Sequence, residues 1–353
     1  MDSSGYDGKF EFGVYTLGDL AVDPRTGGLK NAGERIKEII HAAKVADEAG
    51  IDVFGVGEHH RLDFALSSPP VLLAAIAQAT SRIRLTSATT VLGTADPVRV
   101  FEDFATLDLI SNGRAEIIAG RGAYIESFPL FGFELDDYKE LFTEKLELMK
   151  QLNDSERITW SGRLRSPLQD AEIAPRPEQP AIPVWVGVGS TAESAALAGH
   201  HGAGMALALL GGEASKYKHL VDCYKEAGLA AGFRNEELRV AITGHCYAAK
   251  TTAQALDEFY AGYSTYYSQF MGGKEDGKPL SREDFEKLAG SLAIGSPQLI
   301  AEKIIEQHKL FGHSRFMAQM DIGGMPPGQV EASIRLLAEE VAPIVREALQ
   351  IKV

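Results

Sequence analysis

Apolar positions in this 353-residue chain follow two alternating rhythms. Short runs that are apolar almost throughout are separated by longer stretches in which apolar residues recur at spacings of three and four. The first rhythm suits buried strands and the second suits amphipathic helices. The strand runs are FEFGVYT (Phe10–Thr16), DVFGVG (52–57), IRLTSATTV (83–91), AEIIAG (Ala115–Gly120), IPVWVGV (182–188), GMALALL (204–210), LRVAITGHCYA (238–248) and SRFMAQM (314–320). Helical patterns such as ERIKEIIHAAKVADEAG, PPVLLAAIAQAT, DPVRVFEDFATLDLI and PQLIAEKIIEQHKLFG lie between most of them. Strands alternating with helices eight times predict an α/β fold, a parallel (β/α)8 TIM barrel in one domain spanning 1–353.

One segment breaks the rhythm. Gly262 to Gly295 is rich in Gly, Ser and Tyr and stands between strand seven and its usual helix. Active sites in such barrels are built from loops of that rim, so the insertion is a lid candidate; an oligomer contact is the equal alternative.

Composition narrows the partners. Lys+Arg of 35 against Asp+Glu of 49 gives a net charge of −14, which repels nucleic-acid phosphates and anionic lipid. No apolar run approaches the roughly 18 residues that a membrane span needs. The start, MDSSGYDGKFEFG, lacks a basic segment followed by an apolar one, so a cytoplasmic protein is expected. Cys223 and Cys246 have neither metal-ligand nor redox-motif spacing and read as reduced, packed thiols.

In a parallel barrel, side chains just past the strands collect on one face. Here that rule gathers Glu58, His59 and His60 after strand two, and Ala88, Thr89 and Thr90 at the end of strand three. Arg121 and Gly122 follow strand four, and Gly189 and Ser190 follow strand five. The segment VGVGSTAES ends a strand with small residues and opens a helix with Ser and Thr, which suits either an anion site or an ordinary N-cap. Arg121 calls for an anionic ligand or a structural carboxylate. Adjacent histidines on an extended chain point opposite ways, which speaks against His59 and His60 sharing a metal, and no metal site is expected. A G-x-S-x-G nucleophile elbow is absent.

The ordered set EHH, TTVLGTADPVRVFEDFATLDLISNGRAEIIAGRG, PVWVGVGS and GSPQLIAEKI…EEVAPIVRE resembles the bacterial luciferase-like flavin-dependent monooxygenase family, from about Phe10 to Glu347. The resemblance implies a (β/α)8 barrel that holds reduced FMN, or in a sister branch a deazaflavin, in the mouth formed by the strand ends. It implies that Arg121 and Gly122 of GRG, with Gly189, Ser190 and Ser194, receive the flavin phosphate, and that Lys139 stands where the luciferase branch has an arginine. It also implies a non-proline cis peptide at Ala88–Thr89 against the flavin ring, and His59 as the catalytic histidine. His60 would face substrate or pack, and Glu58 would orient a histidine or contact the flavin's sugar-like chain. Gly120 replaces the reactive thiol of the luciferase branch. The function so implied is oxygenation of a small organic substrate with O2 and FMNH2 from a separate flavin reductase, in a homodimer or homotetramer. Deazaflavin-dependent hydride transfer and non-catalytic flavin binding are the alternatives.

Overall fold

The computed structural model describes residues 9–22, 28–271 and 280–349. Eight parallel strands form its centre: β1 (Glu11–Thr16), β2 (Val53–Val56), β3 (Arg84–Ser87), β4 (Ala115–Gly120), β5 (Val184–Val188), β6 (Gly204–Ala208), β7 (Val240–Ala248) and β8 (Arg315–Gln319). Each pairs with the next, and β8 returns to β1 with Glu11 opposite Arg315 and Tyr15 opposite Gln319, so the ring closes. All eight strand runs read from the sequence are strands of this ring. Closure leaves the ring no free edge.

The helices outside are α1 (Ala32–Ala49), α2 (Pro69–Ala79), α3 (Pro97–Ser111), α4 (Tyr138–Asp154), α5 (Ala192–His200), α6 (Lys218–Ala230), α7 (Thr252–Tyr266), α8 (Arg282–Ala289), α9 (Pro297–Phe311) and α10 (Pro327–Leu336). Their ends obey local chemistry. Asn31 and Asp96 accept from first-turn N–H groups of α1 and α3, and Gly50 closes α1 in the left-handed region. The C-terminal helical pattern is interrupted by a wider turn at Leu337–Val341, next to Pro343, whose ring cannot follow a regular turn. Cys223 lies in α6 and Cys246 in β7, both free thiols. No helix among the described residues is long and apolar enough to cross a membrane.

Three features depart from the sequence reading. The third strand run is split: β3 ends at Ser87, the cis Ala88–Thr89 bond that the resemblance implied follows, and Thr90–Val91 resumes pairing with β4. Across the gap the Ser87 hydroxyl donates to the Ile118 carbonyl and accepts from the Ile118 N–H, so those backbone groups stay satisfied. A small antiparallel hairpin, Arg157–Trp160 with Leu168–Glu172, sits between α4 and β5; its short, largely exposed strands carry little hydrophobic signal. The 262–295 segment is largely helical. It begins inside α7, continues through a wide turn at Tyr267–Met271, and includes α8 and the strand Ala293–Gly295, which lies along β7. Its stretch 272–279 lies outside the described residues.

Alternate residues of each strand face the ring's interior. Its middle is apolar, built from Val53, Ile118, Trp185, Ala206, Ala241 and Met317. The N-terminal end is closed by ions. Arg315, fully buried, donates to Glu11 at 2.8 Å and to both oxygens of Glu116 at 2.7 and 3.1 Å, while Arg84 pairs with the same two carboxylates. Burial pushes the Glu116 carboxyl up, but Arg315 and Arg84 outweigh it and hold the group well below the usual carboxylate range. The Arg315 guanidinium also lies 4.3 Å from the Trp185 ring centroid. One end of the barrel is thus sealed, and the other is left for chemistry.

Removing one member of a buried ion network strands its partners without compensation. Arg315→Met should therefore lower the unfolding free energy by about 3–5 kcal/mol. Urea unfolding measures this, and a loss under about 1 kcal/mol, the size of a surface pair, would contradict the role given to the floor.

Candidate active site

At the C-terminal end, Ala88, Thr89, Gly187, Ala208 and Thr243 are half-buried although they belong to the inner face, so the mouth is open. Its wall is uneven. From β2 to β6 the last inward positions are Gly55, Ala88, Gly120, Gly187 and Ala208; on β7, β8 and β1 they are Thr243, His245, Gln319 and Tyr15. The small side leaves room for a flat group next to the cis Ala88–Thr89 bond. Thr89 explains two of the glycines. A Cβ on Gly120 would overlap Thr89 Oγ1 and come within 3.0 Å of its Cβ, and one on Gly187 would lie 3.0 Å from its Cγ2. Gly120 is thus the residue that lets Thr89 lie across the barrel end.

Arg121 follows directly. Its Nη2 donates to Thr191 Oγ1 at 2.8 Å, its guanidinium lies 5.1 Å from the Tyr138 ring centroid, and the Tyr138 hydroxyl donates to the Gly122 carbonyl at 3.1 Å. No carboxylate among the described residues pairs with Arg121 within 4 Å. Thr191 occupies the N-cap position of α5 but its side chain caps nothing; its Oγ1 instead lies 2.8 Å from Ser194 Oγ. A cation, two hydroxyls and the uncapped N–H groups of a helix start therefore face one spot, next to exposed Gly189 and Ser190. Such a spot receives an oxyanion. Lys139 stands at its edge, tied at 2.6 Å to Glu193 in an exposed pair.

The residues after β2 divide their work. Glu58 accepts from the Val91 N–H at 2.9 Å with one oxygen and meets His60 Nε2 at 2.9 Å with the other, and His60 packs edge-on against Phe131. Glu58 and His60 thus bracket the backbone beyond the cis bond. His59 is the group left available. Its ring stacks on Phe64 at 4.1 Å and meets Tyr124 edge-on, and its buried Nε2 has no hydrogen-bond partner among the described residues. Burial, with Arg61 and His60 nearby, pulls its pKa down to about 4, so the imidazole is neutral near pH 7.

Phe64 and Tyr124 had no signal in the sequence, whereas Tyr266 and Phe270 lie in the Tyr-rich insertion already singled out as a lid candidate. Phe64 and Tyr124 contact His59, and Phe270 and Tyr266, from the insertion and the end of α7, continue that wall of rings at 4.9 and 5.0 Å. Arg61, paired with Asp63, lies over the rings of Tyr124 and Phe270. Asp19, Arg35 and Asp321 form a buried group in which Arg35 Nη2 is 2.6 Å from Asp321 and 3.9 Å from Asp19. Burial raises Asp19 to about 6, against the pull of Arg35. Asp19 follows β1 and Asp321 follows β8, so the strand-end rule that found Glu58 applied to them too; the ring wall has no such signal because its members come from separate loops. A shallow groove of about 530 Å³ between α5 and α6 lies outside the barrel, away from this chemistry.

The luciferase-like monooxygenase family model matches residues 10–314. The alkanal monooxygenase alpha chain of the Kryptophanaron alfredi symbiont is 29% identical over 345 residues, covering 89% of this chain and 94% of that one. An F420-dependent glucose-6-phosphate dehydrogenase of Amycolatopsis mediterranei is 28% identical over 283 residues, 76% of this chain and 81% of its own. In fold, the oxygenating constituent of 3,6-diketocamphane monooxygenase of Pseudomonas putida, solved with FMN, superposes with a TM-score of 0.76 at 20% identity over 95% of this chain and 98% of that one.

Two outcomes follow from the site's packing and charge. Gly120→Ala should destabilise the protein by about 1–3 kcal/mol through overpacking against Thr89. Adding Thr89→Ala should restore most of that loss in urea unfolding; independent, additive effects would refute the contact. His59, His245 and His313 are all buried, with pKa values pulled down to about 4, 4 and 3 by loss of solvent. The unfolded chain therefore takes up protons first as pH falls below about 6.5, and stability drops from there toward pH 4. Asp19 opposes this, since its contribution is full below about 3.8 and lost as pH rises through about 6, but it is one group against four, because half-buried His201 is likewise pulled down to about 4. Melting temperature should fall between pH 7 and pH 5; a rise would mean that these imidazoles are not held neutral.

Proposed function

As the chain belongs to the luciferase-like monooxygenase family, we propose that it binds reduced FMN in the barrel mouth and uses O2 to oxygenate a small organic molecule. The observation that carries this reading is Arg121, a guanidinium without a carboxylate partner among the described residues, set with Thr191 and Ser194 at an uncapped helix start beside the small-residue side of the mouth. Those groups, with Gly189, Ser190, Gly122 and, at the edge, Lys139, would take the phosphate. The open side at Ala88 and Thr89 would take the ring. When bound, reduced flavin supplies the electrons that activate O2; the chain's own residues position, exclude water and handle protons.

His59 holds a proton, or accepts one, at Nε2. Its stacking on Phe64 fixes the direction in which that nitrogen points, and its neutrality leaves a lone pair available at working pH. Glu58 and His60 act through the backbone. By holding the Val91 N–H they keep the Ala88–Thr89 bulge where a ring would rest. The ring wall and the first part of the insertion cover the mouth as a lid, which keeps water from the reacting centre.

FMNH2 would come from a separate reductase in the cytoplasm, and the exposed Leu62, Ile125, Leu130 and Phe131 near the rim give a homodimer or homotetramer an apolar surface to cover. A deazaflavin is the second reading, favoured by the F420-dependent relative. Titration of the protein with each cofactor, followed by absorbance and fluorescence, separates the two. Charge-assisted hydrogen bonds are worth about 1.5–3 kcal/mol, so Arg121→Met should weaken FMN binding by about ten- to a hundredfold. Riboflavin, which lacks the phosphate, should bind both forms alike. Equal FMN affinity in wild type and variant would overturn the assignment of Arg121.

A further inference from the structure

Rings from separate segments surround His59, and one cation stands among them. The Arg61 guanidinium lies 4.9 Å from the Tyr124 ring centroid, 5.9 Å from Phe64 and 6.0 Å from Phe270. All three lie within the roughly 6 Å over which a cation and a ring face attract. Phe64 belongs to the loop after β2, Tyr124 to the loop after β4, and Phe270 to the wide turn after α7. Phe64 and Tyr124 are also the rings that touch His59, stacked at 4.1 Å and edge-on at 5.3 Å. Phe270 reaches His59 through Phe64, at 4.9 Å.

An arginine on an open rim has many rotamers, and Asp63 removes that freedom. Its two oxygens accept from Arg61 Nε at 2.8 Å and Nη2 at 2.6 Å, a two-point pairing that fixes the plane of the guanidinium. The same carboxylate accepts from the side chain of Gln269, the neighbour of Phe270. The insertion thus meets the loop of His59 by a hydrogen bond to Asp63 and by a ring beside Arg61. Backbone bonds anchor the rest of that loop: the His59 N–H donates to the Leu66 carbonyl and the Leu20 N–H to the Asp63 carbonyl, both at 2.8 Å. They fix the main chain. The direction of the imidazole is left to the rings around it, since its buried Nε2 has no hydrogen-bond partner among the described residues.

We propose that Arg61 is a positioning residue that docks the insertion, at Gln269 and Phe270, onto the loop of His59, and that the imidazole keeps its place only while that contact is made. Its bearing on the reaction rests on the flavin reading above; the contact itself does not. Diethyl pyrocarbonate labelling of the full chain without cofactor, read histidine by histidine in a mass spectrometer, tests this. Exposed His41 on α1 and His219 on α6 serve as references, and buried His245 and His313 stay unreactive in a folded variant. Arg61→Met should raise the rate at His59 about three- to thirtyfold, the range that lost cation–ring contacts allow. Phe270→Ala, in a different segment, should raise it as well, and the double variant should add little to the larger single effect. The charged or titratable groups that face the imidazole are Arg61, His60, Asp63 and Tyr124. In NMR, Arg61→Met should therefore move the His59 titration up from about 4 toward the ordinary 6.5, and Arg61→Lys, which keeps the charge, should restore it. An unchanged rate at His59 in Phe270→Ala, additive effects in the double variant, or a titration unmoved in Arg61→Met overturns the proposal. Should Arg61→Met fail to fold, Gln269→Ala replaces it in the rate comparison, with a rise expected and an unchanged rate counting against the coupling. Absence of flavin binding in the separate titration would instead count against the cofactor reading alone.

Discussion

Arg315 ties together strands that are far apart in the chain. From β8 it reaches Glu11 on β1 and Glu116 on β4, and Arg84 on β3 completes the network across the barrel's closed end. Four charges in a space without water are tolerable only when each lies against its opposite, so the arrangement demands the ring's registry. A shift of one residue in β8 would turn Arg315 outward and leave Arg84 as the partner of both Glu11 and Glu116. The apolar layer above it, with Trp185 and Met317, fills the ring's centre. What remains is a single open end.

That end is shaped by exclusion on one side and supply on the other. Gly120 and Gly187 give up their side chains so that Thr89 can lie across them, and the wall from β2 to β6 stays low. Opposite, Gln319, His245 and Tyr15 bring polar atoms and rings to the same height. The cation and hydroxyl cluster is set apart, where β4 and α5 bring Arg121, Thr191 and Ser194 together.

Charge follows burial in the mouth. His59 and His245 are kept neutral by loss of solvent, while Asp19 is pushed toward its protonated form by the same cause. Near pH 7 the two imidazoles are therefore neutral, while Asp19, raised to about 6, keeps most of its charge. Proton transfer in such a place depends on which nitrogen or oxygen lacks a partner, and among the described residues His59 Nε2 has none.

Much of this was legible in the order of residues. Apolar runs alternating with helical periods gave all eight strands, because burial on both faces keeps a strand apolar over most of its length. The rim position of His59 and Arg121 followed from chain direction, since every parallel strand ends at the same face. The cis bond at Ala88–Thr89 came from family resemblance and is present in the structure. The hairpin at Arg157–Trp160 and the helical character of the insertion were hidden by exposed, mixed-polarity residues. Partner choice was hidden as well. That Glu58 brackets His60 and Val91, that Lys139 is tied to Glu193, and that Gln319, Tyr266 and Phe64 share one wall are contacts between segments far apart in the chain or matters of side-chain direction. Local sequence dictates element type and strand order through periodicity, but which side chains meet across the mouth is decided only when the ring closes.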